Sequence, residues 1–129
     1  MDVNGSNMNV LIVDPDASFA ELLGSHLQQR GIQSKRVSNP NDALEDIKNG
    51  NYKFVISELE LPEYSGWVLS SNIRELKNKE MPEILLISEE QLVNIEMAHK
   101  VGACTMLGKP IKFDVLVDTI EHYGRKSGA

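Results

Sequence analysis

The chain contains a single cysteine, Cys104, so it cannot form an internal disulfide. It has no cleavable signal sequence, and none of its apolar runs approaches the roughly 18 residues of a membrane span. Its three histidines, His26, His99 and His122, lie far apart and lack the spacing of a metal site. The lack of a disulfide, a signal sequence and a membrane span predicts a cytoplasmic protein.

Basic residues are also scarce relative to acidic ones. Thirteen Lys and Arg residues against nineteen Asp and Glu residues give a formal net charge of -6. This charge repels phosphate backbones, and the sequence has no stripe of Lys and Arg. We therefore expect no direct nucleic-acid binding by this segment, and a DNA output would need another domain.

Apolar residues are numerous enough for one domain. With 129 residues, of which 41% are apolar, the chain fits a single globular unit that buries its own core. Residues 1–7 are polar and rich in Gly and Asn, and residues 124–129 are small and basic, so both ends are predicted to be flexible tails. The domain is therefore expected to span residues 8–123.

Strand-like runs alternate with helix-like segments along this domain. The predicted strands cover residues 9–13, 33–37, 54–57, 84–87 and 105–107, and the predicted helices cover 16–30, 41–49, 66–78, 91–101 and 113–123. Repeated strand-helix units imply a parallel sheet with right-handed crossovers and helices on both faces. The predicted fold is an α/β, doubly wound (βα)5 three-layer sandwich of the flavodoxin-like type.

Apolar residues recur at spacings of three and four in the first and last predicted helices. The residues expected in the core are Phe19, Leu22, Leu23, Leu27, Phe113, Leu116, Val117 and Ile120. The second strand contains Ser34, Lys35 and Arg36, which are too polar for a central position. We therefore place this strand at an edge of the sheet, where basic residues discourage unwanted pairing.

Four of the strand-like runs end at a polar residue. These residues are Asp14 after VLIV, Glu58 after FVIS, Ser88 after ILLI and Lys109 after TMLG. The carboxyl ends of the strands of an open parallel sheet meet in one crevice. The four side chains are therefore expected to form one site.

The order and spacing of these pieces resemble the receiver domain of two-component response regulators. The resemblance lies in VLIVDPDASF at residues 10–19, YKFVISELELPEYSG at 52–66, ILLIS at 84–88 and GACTMLGKP at 102–110. It covers nearly the whole chain and implies the fold of the chemotaxis regulators. In that family an aspartate after the third strand accepts a phosphoryl group from a histidine kinase with the help of magnesium.

Two departures from the family pattern affect the acceptor and the metal. Glu58 occupies the acceptor position, where its additional methylene moves the carboxylate by roughly 1.5 Å, and in-line attack tolerates little misplacement. Pro15 replaces an acidic magnesium ligand and supplies no oxygen. We expect poor or absent phosphotransfer and weakened magnesium binding, with Asp14, Glu58 and the Glu60 carbonyl as the remaining candidate ligands and no other cofactor.

Asp16 has two interpretations. It either belongs to an acidic pocket with Asp14 or supports the start of the first helix, and we favour the second. In that case Asp14 is an acidic cap, Pro15 a first helical residue and Asp16 an acid of the first turn.

Ser88 and Lys109 match the two phosphate-contacting positions of the family. Lys109 precedes Pro110, which is commonly cis in receivers. Ser88 has an alternative role as a cap of the fourth helix, with Gln91 completing a capping box. Both interpretations of Ser88 stay open at this point.

Two further altered positions concern access and readout. Glu89 stands where receivers usually have a small residue, and it adds bulk and negative charge where a dianionic phosphoryl group would arrive. Met106 stands where many receivers carry an aromatic reporter of phosphorylation, which a flexible thioether cannot replace. Alternatively, Met106 simply fills space in the core or at the surface.

Two other residues are weaker candidates. Trp67 is either a partner anchor or a partly buried core residue, and Cys104 is expected to be inert.

The predicted function is that of an atypical receiver, or pseudo-receiver, in a two-component phosphorelay pathway. It is expected to act by protein-protein interaction, independently of aspartyl phosphorylation, with Glu58 pairing with Lys109 and bonding Ser88. A phosphoacceptor receiver with weakened magnesium binding and a small-ligand sensor remain alternatives. An enzyme is the least expected class, because the pocket lacks a nucleophile with a base.

The expected partners are signalling proteins, either a histidine kinase, an output domain or another component. The resemblance implies docking on the face formed by the fourth helix, fifth strand and fifth helix, where a homodimer would also form. Cys104 and Thr105 stand where the winged-helix subgroup has two acids, which weakens the expectation of that subgroup's salt-bridged dimer. Neither a membrane nor a nucleic acid is an expected partner.

Overall fold

A computed structural model describes residues 8–76 and 80–128 of the chain. These residues form one sheet of parallel strands in the order β2-β1-β3-β4-β5. Its strands are β1 (Asn9–Val13), β2 (Gln33–Val37), β3 (Phe54–Glu58), β4 (Glu83–Glu89) and β5 (Thr105–Lys109). The central strands are continuous apolar runs because both of their faces are covered by helices.

The described helices are α1 (Ala17–Gln29), α2 (Pro40–Asn49), α3 (Gly66–Arg74), α4 (Ile95–Lys100) and α5 (Phe113–Gly128). The first four are preceded by a residue whose side chain accepts backbone N–H bonds of the first turn, namely Asp16, Asn39, Ser65 and Asn94. Within the described residues, no helix is both long and apolar enough to cross a membrane.

Two apolar clusters fill the space between the sheet and its helices. The first lies under α1 and α5 and includes Val10, Ile12, Leu23, Leu27, Phe54, Ile56, Leu85, Leu116, Val117 and Ile120. The second lies under α2, α3 and α4 and includes Leu11, Val13, Ile47, Val55, Leu69, Ile73, Leu86, Ala98 and Met106. Together they make the three-layer doubly wound α/β sandwich, so the predicted fold class is confirmed.

The polar strand β2 lies at one edge of the sheet, as predicted. Lys35 forms an ion pair with Asp46 of α2 at 2.7 Å. Arg36 donates hydrogen bonds to the carbonyl oxygens of Asp14 and Pro15, each at 3.0 Å. Lys35 therefore holds this edge to α2, and Arg36 holds the segment that follows β1.

Several predicted details of the elements are wrong. Leu22 is 53% exposed and does not belong to the core. The fourth helix begins at Ile95 instead of residue 91, because a separate short 3-10 turn covers Glu90–Leu92. The last helix continues to Gly128, beyond its predicted end at residue 123.

The remaining end predictions concern the third helix and the tails. Helix α3 ends at Arg74, so the predicted end at residue 78 is wrong. Residues 77–79 lie outside the described residues. The predicted tail over residues 1–7 also lies outside them. The second predicted tail, over 124–129, is helical through Gly128.

Gly108 allows the 3-10 turn after β4 to lie directly against β5. A Cβ atom at this position would stand 2.8 Å from Cα of Glu90 and 3.1 Å from Cγ2 of Val93. Because the nearest atom belongs to the backbone, it cannot swing aside as the tip of a side chain would. A residue without a side chain is therefore required here for the turn to close.

Replacing Gly108 by Ala is expected to lower the free energy of unfolding by about 1–3 kcal/mol, because it overpacks this contact. Gly24→Ala in the middle of α1 is the matched control. Its Cβ would meet Ser34 Oγ at an ordinary 3.4 Å, and the higher helix propensity of alanine should raise the free energy of unfolding by about 0.5–1 kcal/mol. Urea denaturation measures both, and an unchanged Gly108→Ala midpoint would contradict the close approach.

Candidate functional site

The polar strand ends lie at the carboxyl edge of the sheet, as the sequence predicts. Asp14 follows β1, Glu58 is the last residue of β3, and Lys109 is the last residue of β5. Ser88 lies in β4, between the other two strands, and is opposite Gly108 of β5. The topology therefore gathers all four residues at the same end of neighbouring strands.

Glu58 and Lys109 form a direct ion pair. The Nζ atom of Lys109 donates a hydrogen bond to Oε1 of Glu58 at 2.8 Å. The Lys109 side chain is only 25% exposed and the Glu58 side chain only 12% exposed. Water therefore screens their attraction less than it would at an open surface. The predicted pairing of these two residues is present in the structure.

The second carboxylate oxygen of Glu58 is also engaged. Its Oε2 accepts the backbone N–H of Leu59 at 3.0 Å and that of Glu60 at 3.3 Å. Both oxygens of Glu58 are therefore held, one by an ammonium group and the other by the backbone that follows β3. This fixes the carboxylate against the start of its own loop.

Lys109 has a second contact, with an aromatic ring. Its Nζ atom lies 4.5 Å from the centroid of the Phe19 ring of α1, which is a cation–π distance. Burial lowers the pKa of the Lys109 ammonium, but the hydrogen bond and charge of Glu58, with the charges of Asp14 and Asp16, outweigh burial and raise that pKa. Lys109 is therefore held in its charged form.

Asp14 is almost fully buried, with 3% of its surface exposed. Removal from water raises its pKa, and the negative charges of Glu58 and Asp16 act in the same direction. The N–H of Asp16 and the charge of Lys109 oppose the rise. Oδ1 of Asp14 accepts that N–H at 2.8 Å. Asp14 is thus a buried acid beside the ion pair.

The segment after Asp14 starts α1 differently from the predicted pattern. Asp16 is the N-cap of α1, since its Oδ1 accepts the backbone N–H groups of Ser18 and Phe19 at 3.0 and 3.2 Å. The favoured helix-start role of Asp16 is confirmed, but as the cap itself and not as an acid of the first turn. Pro15 precedes this cap, so its assignment to the first helical position and that of Asp14 to the cap are wrong.

Ser88 is fully buried, and its Oγ atom has no hydrogen-bond partner within the part of the chain that the structure describes. The predicted bond from Glu58 to Ser88 is therefore not formed. The capping interpretation of Ser88 with Gln91 is also wrong, because Asn94 caps α4 and Ser88 remains within β4. The buried hydroxyl of Ser88 therefore stays without a partner among the described residues.

Of the two altered positions near the site, Glu89 is an exposed acid and Met106 is a buried core residue. Glu89 is exposed at the end of β4. Met106 is only 2% exposed and belongs to the second apolar cluster, which confirms its interpretation as core. The peptide bond between Lys109 and Pro110 is cis.

The remaining candidates are Trp67, Cys104 and the three histidines. Trp67 is half-buried against the second apolar cluster, which confirms partial core burial. Burial raises the pKa of the Cys104 thiol to about 12, so it is not a reactive thiolate at neutral pH. His99 and His122 are exposed, while His26 is half-buried. In the portion of the chain that the structure describes, no group of three or more His, Cys, Asp or Glu side chains is placed to hold a metal ion.

The most informative contact that the sequence analysis missed is that of Phe19. Its spacing predicted a core position, and it does pack at the margin of the first cluster. The contact of its ring with Lys109 depends on how α1 is oriented over β5, which a single sequence does not reveal. Phe19 is the fifth residue after Asp14, and this proximity in sequence is the signal that could have placed it near the site.

Comparison with known proteins identifies the arrangement. A family model of the response regulator receiver domain matches residues 10–121. The chain belongs to the response regulator receiver family. It is therefore a receiver domain of two-component signalling, as the resemblance predicted.

This receiver is similar to parts of longer proteins. It is 26% identical over 119 residues to response regulator protein GraR of Staphylococcus saprophyticus subsp. saprophyticus, covering 92% of this chain and 52% of GraR. It is 25% identical over 123 residues to sensor histidine kinase RcsC of Escherichia coli strain K12, covering 95% of this chain and 13% of RcsC. The chain thus spans about half of the first relative and a small part of the second.

A solved structure supports the fold of this receiver. A putative response regulator from Chloroflexus aurantiacus J-10-fl matches with a TM-score of 0.85 and 24% sequence identity. The match covers 92% of this chain and 98% of that one. The likeness extends over the complete three-layer sandwich.

The magnesium ion that the family implies would meet an altered set of oxygen ligands at this receiver site. Magnesium prefers six oxygen ligands in an octahedron. Both oxygens of Glu58 are engaged, and Oδ1 atoms of Asp14 and Asp16 accept backbone N–H groups. Pro15 contributes no side-chain oxygen. The side chains present therefore offer one acidic ligand fewer than the family's magnesium site.

Replacing Asp14 by Asn tests the burial of this acid. Because the pKa of Asp14 is raised on folding, the folded state holds the proton more tightly, and stability falls as the pH rises through the unfolded pKa, near 3.8, and the folded pKa. Asp14→Asn is therefore expected to raise the urea midpoint at pH 7, and this gain should disappear below pH 3.8.

The control is Asp16→Asn, because Asn is as good an N-cap as Asp. It is expected to leave the midpoint at pH 7 nearly unchanged. A midpoint of Asp14→Asn at or below that of the parent protein at pH 7 would show that the buried charge costs no stability.

Proposed function

We propose that this receiver acts as an atypical receiver, or pseudo-receiver, whose role in a two-component pathway is protein-protein interaction without aspartyl phosphorylation. The observation that carries the proposal is the 2.8 Å ion pair between Glu58 and Lys109. In it, the residue at the acceptor position already binds the lysine that would contact a phosphoryl group. We further propose that it has no catalytic activity of its own and acts in the cytoplasm.

The surroundings of Glu58 oppose phosphoryl transfer in three ways. Its two oxygens both accept hydrogen bonds, which lowers the electron density that each can offer in an attack. Pro15 and the capping role of Asp16 favour weak or absent magnesium binding. The exposed carboxylate of Glu89 adds negative charge beside Ser88, which repels an incoming dianion.

The ion pair also supplies a fixed charge in place of a switchable one. Glu58 offers one negative charge, whereas an acyl phosphate offers nearly two. Lys109 is held to the end of β3 in the absence of any modification. The domain is therefore proposed to present one constant surface to its partners.

The proposed docking surface is the face of α4, β5 and α5. Helix α4 exposes Ile95 and Met97, which are 42% and 39% accessible, and Val115 of α5 is 49% accessible. A groove of about 380 Å³ beside β5 is lined by Thr105, Leu107, Val115, Asp118, Thr119, His122 and Tyr123. Candidate partners are a histidine kinase, an output domain or a second copy of the chain. Replacing both Ile95 and Met97 by Ser is the surface variant that tests whether each of these partners binds this face.

A second candidate function is that of a phosphoacceptor receiver with weakened magnesium binding. The observation that favours it is Ser88, whose buried hydroxyl has no partner among the described residues and is available to a phosphoryl oxygen. Lys109 is likewise retained. This candidate requires the ion pair to open when a phosphodonor binds.

A titration with magnesium and beryllofluoride, a mimic of the acyl phosphate, distinguishes the two candidates. The amide signals of Asp14, Glu58, Ser88 and Lys109 in NMR spectra are expected to stay unchanged at millimolar additive, because the site is already closed by its own ion pair. Phosphotransfer from acetyl phosphate, followed by mass spectrometry, is expected to give no modified protein.

The matched variant restores the family's pattern by combining Glu58→Asp with Pro15→Asp. It is expected to gain saturable shifts with the same additives, because the shorter acid frees Lys109 and the second acid provides an oxygen ligand. Saturable shifts in the parent protein that spread from the site to α4 and α5 would instead establish the phosphoacceptor function.

A further inference from the structure

Lys109 connects the ion pair to an aromatic cluster between α1 and α5. Its ammonium group lies 4.5 Å from the centre of the Phe19 ring. The Phe19 ring in turn lies 5.4 Å, centre to centre, from the ring of Phe113 at the start of α5. The Phe113 ring stacks on His26 of α1 at 4.8 Å with an angle of 18° between the planes.

His26 is fixed at the far end of this cluster. Its Nδ1 atom lies 2.9 Å from the carbonyl oxygen of Leu22, one helical turn earlier. A ring held by both a stack and a hydrogen bond has one preferred orientation. A displacement of Phe113 therefore changes the environment of His26 directly.

The opposite direction, towards α4, has no comparable contact. Ser88 makes no hydrogen bond to Glu58 or Lys109, and its Oγ atom has no partner within residues 8–76 and 80–128. Met106 is buried in the second apolar cluster, on the other face of the sheet from Phe19. Among the described residues, no side-chain hydrogen bond, ion pair or ring contact thus links Glu58 to α4.

We infer that the Glu58–Lys109 ion pair is coupled to the α1–α5 side of the domain through Phe19, Phe113 and His26, and not to α4. Glu58 fixes the position of the Lys109 ammonium, which attracts the face of Phe19 and so determines how the Phe19 and Phe113 rings meet. This inference rests on the ion pair of the proposed function. It gives Phe19 the role of a positioning residue through which the ion pair holds the Phe113 and His26 rings of α5 and α1 in one arrangement.

The test follows the aromatic signals of the full chain by NMR at one constant pH. Glu58→Gln removes the charge, and Glu58→Ala also removes both oxygens. Both are expected to shift the ring signals of Phe113 and His26, with the larger effect in Glu58→Ala. The methyl signals of Met97 in α4 and Met106 in β5 are expected to stay in place.

Two controls separate transmission through the rings from a general effect of charge. Glu60→Gln removes an exposed carboxylate near Glu58 and is expected to leave the Phe113 and His26 rings unmoved. In a Phe19→Leu background, which keeps an apolar side chain but removes the ring, the Glu58 substitutions are expected to lose their effect on His26.

Three results would overturn the inference. These are unshifted Phe113 and His26 rings in Glu58→Ala, an undiminished His26 shift in the Phe19→Leu background, and Met97 shifts as large as those of the rings. The beryllofluoride titration can fail independently, because the ring signals report the charge of Glu58 whether or not the site accepts a phosphoryl mimic.

Discussion

The ion pair between Glu58 and Lys109 is the constraint on which the arrangement of this site depends. β4 lies between β3 and β5, so the pair crosses the end of one strand and ties its two neighbours together. The backbone after β3 completes the arrangement by donating two N–H groups to the other oxygen of Glu58. The carboxyl edge of the sheet is therefore closed by the side chains of the chain itself.

Partial burial gives this pair its importance. An exposed pair contributes about 0–1 kcal/mol because water screens it, whereas breaking a buried pair costs about 3–5 kcal/mol because a charge is left without a partner. Glu58 and Lys109 lie between these limits, and Asp14 beside them has a raised pKa because it is buried. Any ligand that recruits Lys109 must compensate for the charge left on Glu58.

The sheet and the location of the site follow from local sequence, whereas the contacts within the site do not. Apolar runs that end at a polar residue were sufficient to predict the strands and to place Asp14, Glu58 and Lys109 together, because parallel strands end at one edge. The predicted start of α4 is wrong, since Ser88 with Gln91 resembles a capping box, whereas residues 90–92 form a 3-10 turn packed against Gly108 and Asn94 is the cap. The contact of Phe19 with Lys109 was not predictable, because it depends on the orientation of a whole helix.

The most direct test is a double-mutant cycle between Glu58 and Lys109, measured as free energies of unfolding in urea at pH 7. Glu58→Gln, Lys109→Met and the double variant isolate the energy of the pair from the effect of each side chain alone. We predict a favourable coupling energy of about 1–3 kcal/mol. If the effects of the two single substitutions add up to that of the double variant within about 0.3 kcal/mol, the ion pair contributes no stability of its own, and this would contradict the account.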